Sequence, residues 1–370
     1  MHATASPFAL PGIFVPKRRH NYVPTINCSE IMALGTYRLR MSLLRRAAPR
    51  SGRIARFLRF PDPFTAPWRR SVLDIGRDVG LGDVLMCTPA LRELKRRHPD
   101  CHVRFYTDFE PLVRGLPYID EVLPWSVRPK DTILLRYEEV IPPRAHIARI
   151  LGDQLGVNVR DVCPDCVIQD NLVAGFQHAW RDWPRPHIAV NRRAGDWTPN
   201  KDWPDQRWSQ LICALARSAT VIEIGKPDPS AGPIAAGHYI DLRGRTRVEE
   251  LAAAIAAADF HLGPISGPVH IAAAARRPSI IIAGGYEHPS SAVAYSGNVV
   301  FYTDVDCAPC WLRSPCPYDR KCLTAITPAA VEDSLWQAWA SIKEGSSVAD
   351  MPAKGRDRVK ARIIVPAASR

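Results

Sequence analysis

From Ser71 onward, short apolar runs alternate with stretches in which apolar side chains recur every three or four positions. Ser71–Ile75, Cys101–Tyr106, Glu121–Trp125 and Thr132–Leu135 read as strands. Between the first two, Gly80-Leu81-Gly82-Asp83 opens a helical stretch with apolar positions at Leu85, Ala90, Leu91 and Leu94; His146–Leu155 reads as a later helix. A Trp- and Pro-rich stretch at 180–186 breaks the rhythm and reads as a linker. A second alternating unit follows, with strands at His187–Asn191, Thr220–Ile224, Tyr239–Leu242, Phe260–Gly263 and Ser279–Ala283. Its helices fall near Asp205–Arg217, Val248–Ala258 and Pro268–Arg276, and Thr327 followed by Pro328 caps a last one. Strand–helix alternation of this kind predicts a doubly wound α/β fold, and two such units in tandem leave a cleft at the carboxyl ends of both sheets. The expected parts are an extension at 1–70, an N-terminal unit at 71–180, a C-terminal unit at 187–327, a helix at 328–343 and a disordered basic tail at 344–370.

Length and charge refine this picture. A chain of 370 residues suits two domains, and 46% hydrophobic residues exclude a wholly disordered one. Glu249, Glu250 and Asp259 interrupt the longest alanine-rich stretch, so no transmembrane span is expected. Residues 1–20 contain prolines and the run Lys17-Arg18-Arg19 without an apolar core, which is unlike a secretory signal, and a cytoplasmic location is expected. The net charge of +12 sits in the tails: residues 1–70 hold 13 basic and 2 acidic residues, residues 351–370 six and one, and the body is net negative. The charge is therefore no sign of a nucleic-acid partner. Between Leu34 and Phe60, arginines interleave with leucines and other apolar residues, which suits either a solvated extension or peripheral contact with an anionic membrane.

Three segments carry candidate chemistry. Ser266-Gly267-Pro268-Val269-His270 follows a strand and starts a helix, where free amides and the helix dipole favour a diphosphate and His270 stands in the first turn. In Gly80-Leu81-Gly82-Asp83 the glycines permit a tight turn, and Asp83 either acts as a general base toward a hydroxyl or merely caps its helix. Lys201, in Asn200-Lys201-Asp202-Trp203-Pro204, either neutralises a departing phosphate or is a solvated surface lysine.

In order and spacing these segments, with Asp241-Leu242-Arg243-Gly244-Arg245-Thr246, resemble glycosyltransferase family 9, the ADP-heptose:lipopolysaccharide heptosyltransferase-like family, from about Ser71 to Trp336. The resemblance implies a GT-B architecture of two Rossmann-like domains facing each other across a cleft, with the acceptor on the first and a nucleotide-sugar on the second. It implies inverting transfer without a catalytic divalent metal, from a donor such as an ADP-sugar to a cell-envelope glycan or glycolipid such as lipopolysaccharide. Asp83 then matches the general base, Gly80 and Gly82 the acceptor-side loop, and Lys201, Ser266, Gly267 and His270 the donor and phosphate contacts. One departure stands out: Ile265 occupies the place where the family has Asp. That departure leaves open a catalytically inactive binding or scaffold module of the same fold.

Cys307, Cys310, Cys316 and Cys322 lie in a Pro-rich segment too short for its own core. Four thiolates suit structural zinc or iron, and buried or free thiols are the alternative. A subset of the resembled family, which glycosylates proteins, carries a four-Cys metal finger, so protein glycosylation is a further alternative.

Overall fold

The protein is described by a computed structural model covering residues 71–228, 234 and 237–345, and the backbone of 359–364. The 1–70 extension, and with it the choice between a solvated segment and membrane contact, lies outside the described residues.

The first lobe is built from β1 (Val72–Gly76), α1 (Leu81–Arg97), β2 (His102–Tyr106), β3 (Glu121–Leu123) and β4 (Ile133–Leu134). Its four strands are parallel in the order β3-β2-β1-β4. Helices α2 (Ile147–Gln154) and α3 (Asp170–Trp180) lead to β5 (His187–Val190), α4 (Asp205–Leu215), β6 (Thr220–Glu223) and β7 (Tyr239–Asp241). Then come α5 (Val248–Ala257), β8 (Phe260–Gly263), α6 (Gly267–Ala274), β9 (Ser279–Gly284), α7 (Pro289–Ala292) and β10 (Asn298–Thr303). The chain closes with α8 (Lys321–Thr324), α9 (Pro328–Lys343) and β11 (Val359–Ile364). The second sheet runs β11-β10-β9-β8-β5-β6-β7, parallel throughout except where β11 meets β10. Strands β5, β6, β8, β9 and β10 are buried along their whole length, as a parallel sheet covered on both faces requires.

Local chemistry explains the less regular elements. Pro89 sits inside α1 and removes the N–H that would bond the Leu85 carbonyl; the Thr88 hydroxyl donates to that carbonyl instead, at 2.7 Å. Helix α9 starts at Thr327, whose hydroxyl accepts from the Ala330 N–H with Pro328 behind it. Composition alone assigned 344–370 to a disordered tail, yet 359–364 extends the second sheet as β11. Helix α3 and strand β10 were also absent from the sequence reading.

The apolar interior has two parts. One joins the first lobe to a face of the second, including Leu85, Leu91, Ile255, Val269 and Ile281, with α1 packed on α6 and α3 on α5. The other lies under α4 and α9, where Trp203 and Trp208 meet edge to face at 5.2 Å. In both sheets the strand order reverses direction beside the first strand of the lobe, at β1/β4 and at β5/β8. Loops leaving the carboxyl ends of those strands form the crevice of a doubly wound sheet.

Candidate functional site at the two switch points

The residues after β1 and β4 form the first half of the site. Gly80 is the N-cap of α1, and Asp83 in the first turn accepts the Gly80 N–H through Oδ2 at 3.2 Å. A Cβ at Gly80 would lie 2.8 Å from that oxygen, so only glycine leaves the carboxylate its place. The other oxygen, Oδ1, pairs with the Arg77 guanidinium at 3.1 Å. Arg77 follows β1, is 2% exposed, donates to the Leu135 carbonyl at 2.8 Å and pairs with Glu138 at 2.6 Å. Its guanidinium also lies over the Tyr137 ring, 5.2 Å from the centroid. Burial, then the charge of Asp83 and a hydrogen bond to it, then the charge of Glu287, raise the Tyr137 hydroxyl far above its ordinary value, so it is a neutral donor.

The second half follows β5, β8 and β9. Ser266 is the N-cap of α6, and its hydroxyl does not cap; it accepts from Asn191 Nδ2 at 3.0 Å. Asn191 is fixed in turn by His261 at 2.7 Å, a fully buried ring that burial lowers to about 3 and holds neutral. Lys201 closes a short 3-10 turn, Pro199–Lys201, donates to the Ile265 carbonyl at 3.3 Å and pairs with Glu287 Oε1 at 2.5 Å. Its ammonium also lies 4.9 Å from the Tyr286 ring centroid. Glu287 is 2% exposed, and its Oε1 makes this ion pair without a directed hydrogen bond.

The halves meet at two glycines. A Cβ on Gly82 would lie 2.7 Å from the His270 ring and 3.3 Å from Gly267 Cα; one on Gly267 would lie 2.7 Å from Leu81. The helix starts that bear Asp83 and His270 are therefore packed against each other. His270, however, does not present its ring to the crevice as expected. It is 3% exposed and its Nδ1 engages the Tyr295 hydroxyl at 2.8 Å. Burial, with His146, Lys201 and His261 adding, lowers it to about 3, so the ring is neutral and belongs to the packing between lobes. Ile265 is likewise buried in the core, and the acidic group near Lys201 is Glu287, from another loop.

Sequence reasoning missed Arg77, Tyr137, Glu138, Asn191 and Glu287. For Glu287 a signal existed. Gly284-Gly285-Tyr286-Glu287 follows an apolar strand in a doubly wound unit, and Gly284 has φ +60. This is the same strand-to-glycine transition that marked Gly80 and Gly82.

The cysteine segment braces this second half. Asn200 Nδ2 donates to the carbonyls of Leu312 and Ser314 at 2.6 and 2.7 Å, and its Oδ1 accepts from the Cys316 N–H at 3.0 Å. The Cys310 and Trp311 amides bond the carbonyls of Gly285 and Tyr286. Cys307, Cys310, Cys316 and Cys322 all line one cavity of about 220 Å³. Burial, with neighbouring cysteines adding, raises the Cys310 and Cys322 thiols. Four cysteines lining one cavity fit a tetrahedral thiophilic ion in number and kind, but among the described residues no three Cys, His, Asp or Glu converge to ligand spacing.

No helix among the described residues is long and apolar enough to cross a membrane. No curated protein matches this chain in sequence. The model of glycosyltransferase family 9 (heptosyltransferase) matches residues 149–319. Among solved structures, a glycosyl transferase family 9 protein from Veillonella parvula is similar at 18% identity and TM-score 0.57, over 74% of this chain and 97% of that one. The iron-containing dodecameric glycosyltransferase TibC of enterotoxigenic E. coli is similar at 20% identity and TM-score 0.57, over 73% and 76% of the two chains. E. coli ADP-heptose lps heptosyltransferase II is similar at 16% identity and TM-score 0.56, over 74% and 99%. With two sheets of parallel strands, each with its own switch point, this is the GT-B fold, and residues 149–319 match the model of glycosyltransferase family 9.

Proposed function

We propose that the protein is an inverting glycosyltransferase that moves a heptose or related sugar from a nucleotide-diphosphate sugar to a hydroxyl of a cell-envelope glycan such as lipopolysaccharide. One observation carries this reading: a turn bearing the carboxylate of Asp83 and a turn bearing the ammonium of Lys201 lie at the switch points of two lobes that touch through Gly82 and Gly267. Asp83 Oδ1 or Oδ2 takes the proton of the acceptor hydroxyl. The acceptor oxygen then bonds to the anomeric carbon on the face opposite the diphosphate while the carbon–oxygen bond to the diphosphate breaks. Negative charge moves onto the departing nucleoside diphosphate, where the Lys201 ammonium and the amides at the start of α6 stabilise it. Because these groups supply the neutralisation, the reading needs no catalytic divalent metal. An ADP-sugar is the proposed donor, since one solved TibC structure is described as a complex with ADP-D-β-D-heptose.

The test is a thermal-shift screen of ADP, UDP, GDP and ADP-D-β-D-heptose. We expect ADP and its heptose conjugate to raise the melting temperature; no stabilisation by any of the four overturns the enzyme in favour of a scaffold.

The four cysteines that line one cavity support an added structural role for zinc or iron, and TibC is described as iron-containing. Cys307, Cys310, Cys316 and Cys322 would hold the ion and thereby fix the loops of Lys201 and Glu287, with no part in the transfer step. Elemental analysis of protein purified without added metal is expected to find about one zinc or iron per chain, and metal-free, fully folded protein contradicts this.

A further inference from the structure

If the reading above holds, the transferred sugar lies between the group that takes the acceptor proton and the group that holds the diphosphate, namely Asp83 and Lys201. Each of those two groups has a further side chain close to it: Tyr137 on the Asp83 side and Glu287 on the Lys201 side. Tyr137 follows the end of β4, its ring 5.2 Å from the guanidinium that pairs with Asp83. Glu287 enters from the loop after β9, its Oε1 2.5 Å from Lys201 Nζ. The charge of Glu287 is one of the causes that raise the Tyr137 hydroxyl, after burial and Asp83.

Glu287 is poorly explained as a structural residue. A buried carboxylate ordinarily collects several hydrogen bonds, because leaving its lone pairs unmet is costly. Glu287 is 2% exposed, yet its Oε1 has an ion pair and no directed hydrogen bond. It also weakens the pull of Lys201 on an incoming diphosphate by neutralising the ammonium. Both costs are offset by a ligand that brings hydroxyl donors to this point, as a sugar ring does and a bare diphosphate does not.

We infer that Glu287 reads the transferred sugar: its carboxylate accepts hydrogen bonds from the sugar's hydroxyl groups and sets the preference for a nucleotide-sugar over the free nucleoside diphosphate. Tyr137 lines the same space from the opposite lobe as a neutral donor. Glu287 is thus a specificity residue that touches the donor, distinct from the groups that hold the diphosphate.

The test is calorimetric titration of the full chain with three pairs: ADP and ADP-D-β-D-heptose, UDP and UDP-glucose, GDP and GDP-mannose. In Glu287→Gln, the productive nucleotide-sugar is expected to bind about 10-fold or more weaker, the loss of a hydrogen bond to a charged acceptor. The matching nucleoside diphosphate is expected to bind as well as before, or tighter, because a like charge beside Lys201 has gone. Tyr137→Phe is expected to show the same selectivity with a loss of about 5-fold, the size of a neutral hydrogen bond, and it decides the matter if Glu287→Gln melts early. Equal weakening of both ligands, or no change in either, overturns the role of Glu287 while leaving the glycosyltransferase reading intact. Failure of the wild-type chain to bind any of the six ligands overturns both.

Discussion

The two lobes build their ionic centres differently. In the first, one cation serves two carboxylates: Arg77 pairs with Asp83 at 3.1 Å and with Glu138 at 2.6 Å. In the second, one cation serves one carboxylate, Lys201 with Glu287 at 2.5 Å. The first centre therefore keeps an excess negative charge and holds a carboxylate that can take a proton. The second is balanced, so its pull on an anion depends on help from the amides at the start of α6. A proton acceptor on one side and a neutral cradle with directed N–H groups on the other is the division of labour that displacement of a diphosphate by a hydroxyl requires.

Breaking the first centre at its reactive member has the largest expected effect. Asp83→Ala should lower the transfer rate by about 10²–10⁴-fold, the usual contribution of a general base, with donor affinity unchanged in calorimetry. Retention of full activity removes Asp83 from the chemistry.

Removing the shared cation is expected to act on stability. Arg77→Met leaves two carboxylates without their partner, and chemical denaturation should show a loss of about 3 kcal/mol. The pH dependence sharpens this. Burial pushes Glu138 up, but the hydrogen bond and charge of Arg77 outweigh it and hold the carboxyl below its ordinary 4.5. A lowered folded-state pKa contributes stability that is present above the ordinary value and is lost as pH falls through the lowered one. Wild-type stability should therefore drop on acidification below about pH 4.5, and the Arg77→Met variant should drop less over the same range. A parallel loss in both proteins contradicts the pairing.

Tilting the second centre has the smallest expected effect. Lys201→Met leaves Glu287 without its cation and turns the cradle negative, so nucleoside-diphosphate affinity should fall about 10-fold. Unchanged affinity means that the amides of α6 suffice alone.

The same contrast explains what the sequence disclosed. Strand and helix positions were legible because apolar runs and 3.6-residue spacing are local properties. The doubly wound class followed from that alternation, whereas the strand order that sets the two switch points is a tertiary property. The strand-to-helix turns that hold Gly80, Gly82, Asp83, Ser266 and Gly267 were legible because such turns leave a glycine or cap signature in a few consecutive residues. Arg77, Tyr137 and Glu138 were not: Arg77 and Glu138 are 61 residues apart, and only the β1–β4 pairing brings them together. Glu287 escaped for the same reason, lying far along the chain from Lys201. His270 was misjudged because its place in the first turn suggested exposure, whereas Gly82 of the other lobe closes over the ring. Strand β11 was hidden by a basic composition that suits a tail as well as a sheet edge, where charge blunts further pairing.

The central claim is that a donor diphosphate sits between Lys201 and the start of α6, facing Asp83. A crystal structure of the protein with ADP-D-β-D-heptose bound tests it most directly. The account predicts diphosphate oxygens within hydrogen-bonding distance of Lys201 Nζ and the Gly267 N–H, with the anomeric carbon turned toward Asp83. A nucleotide seated elsewhere on the chain, with Asp83 facing no part of the sugar, would contradict it.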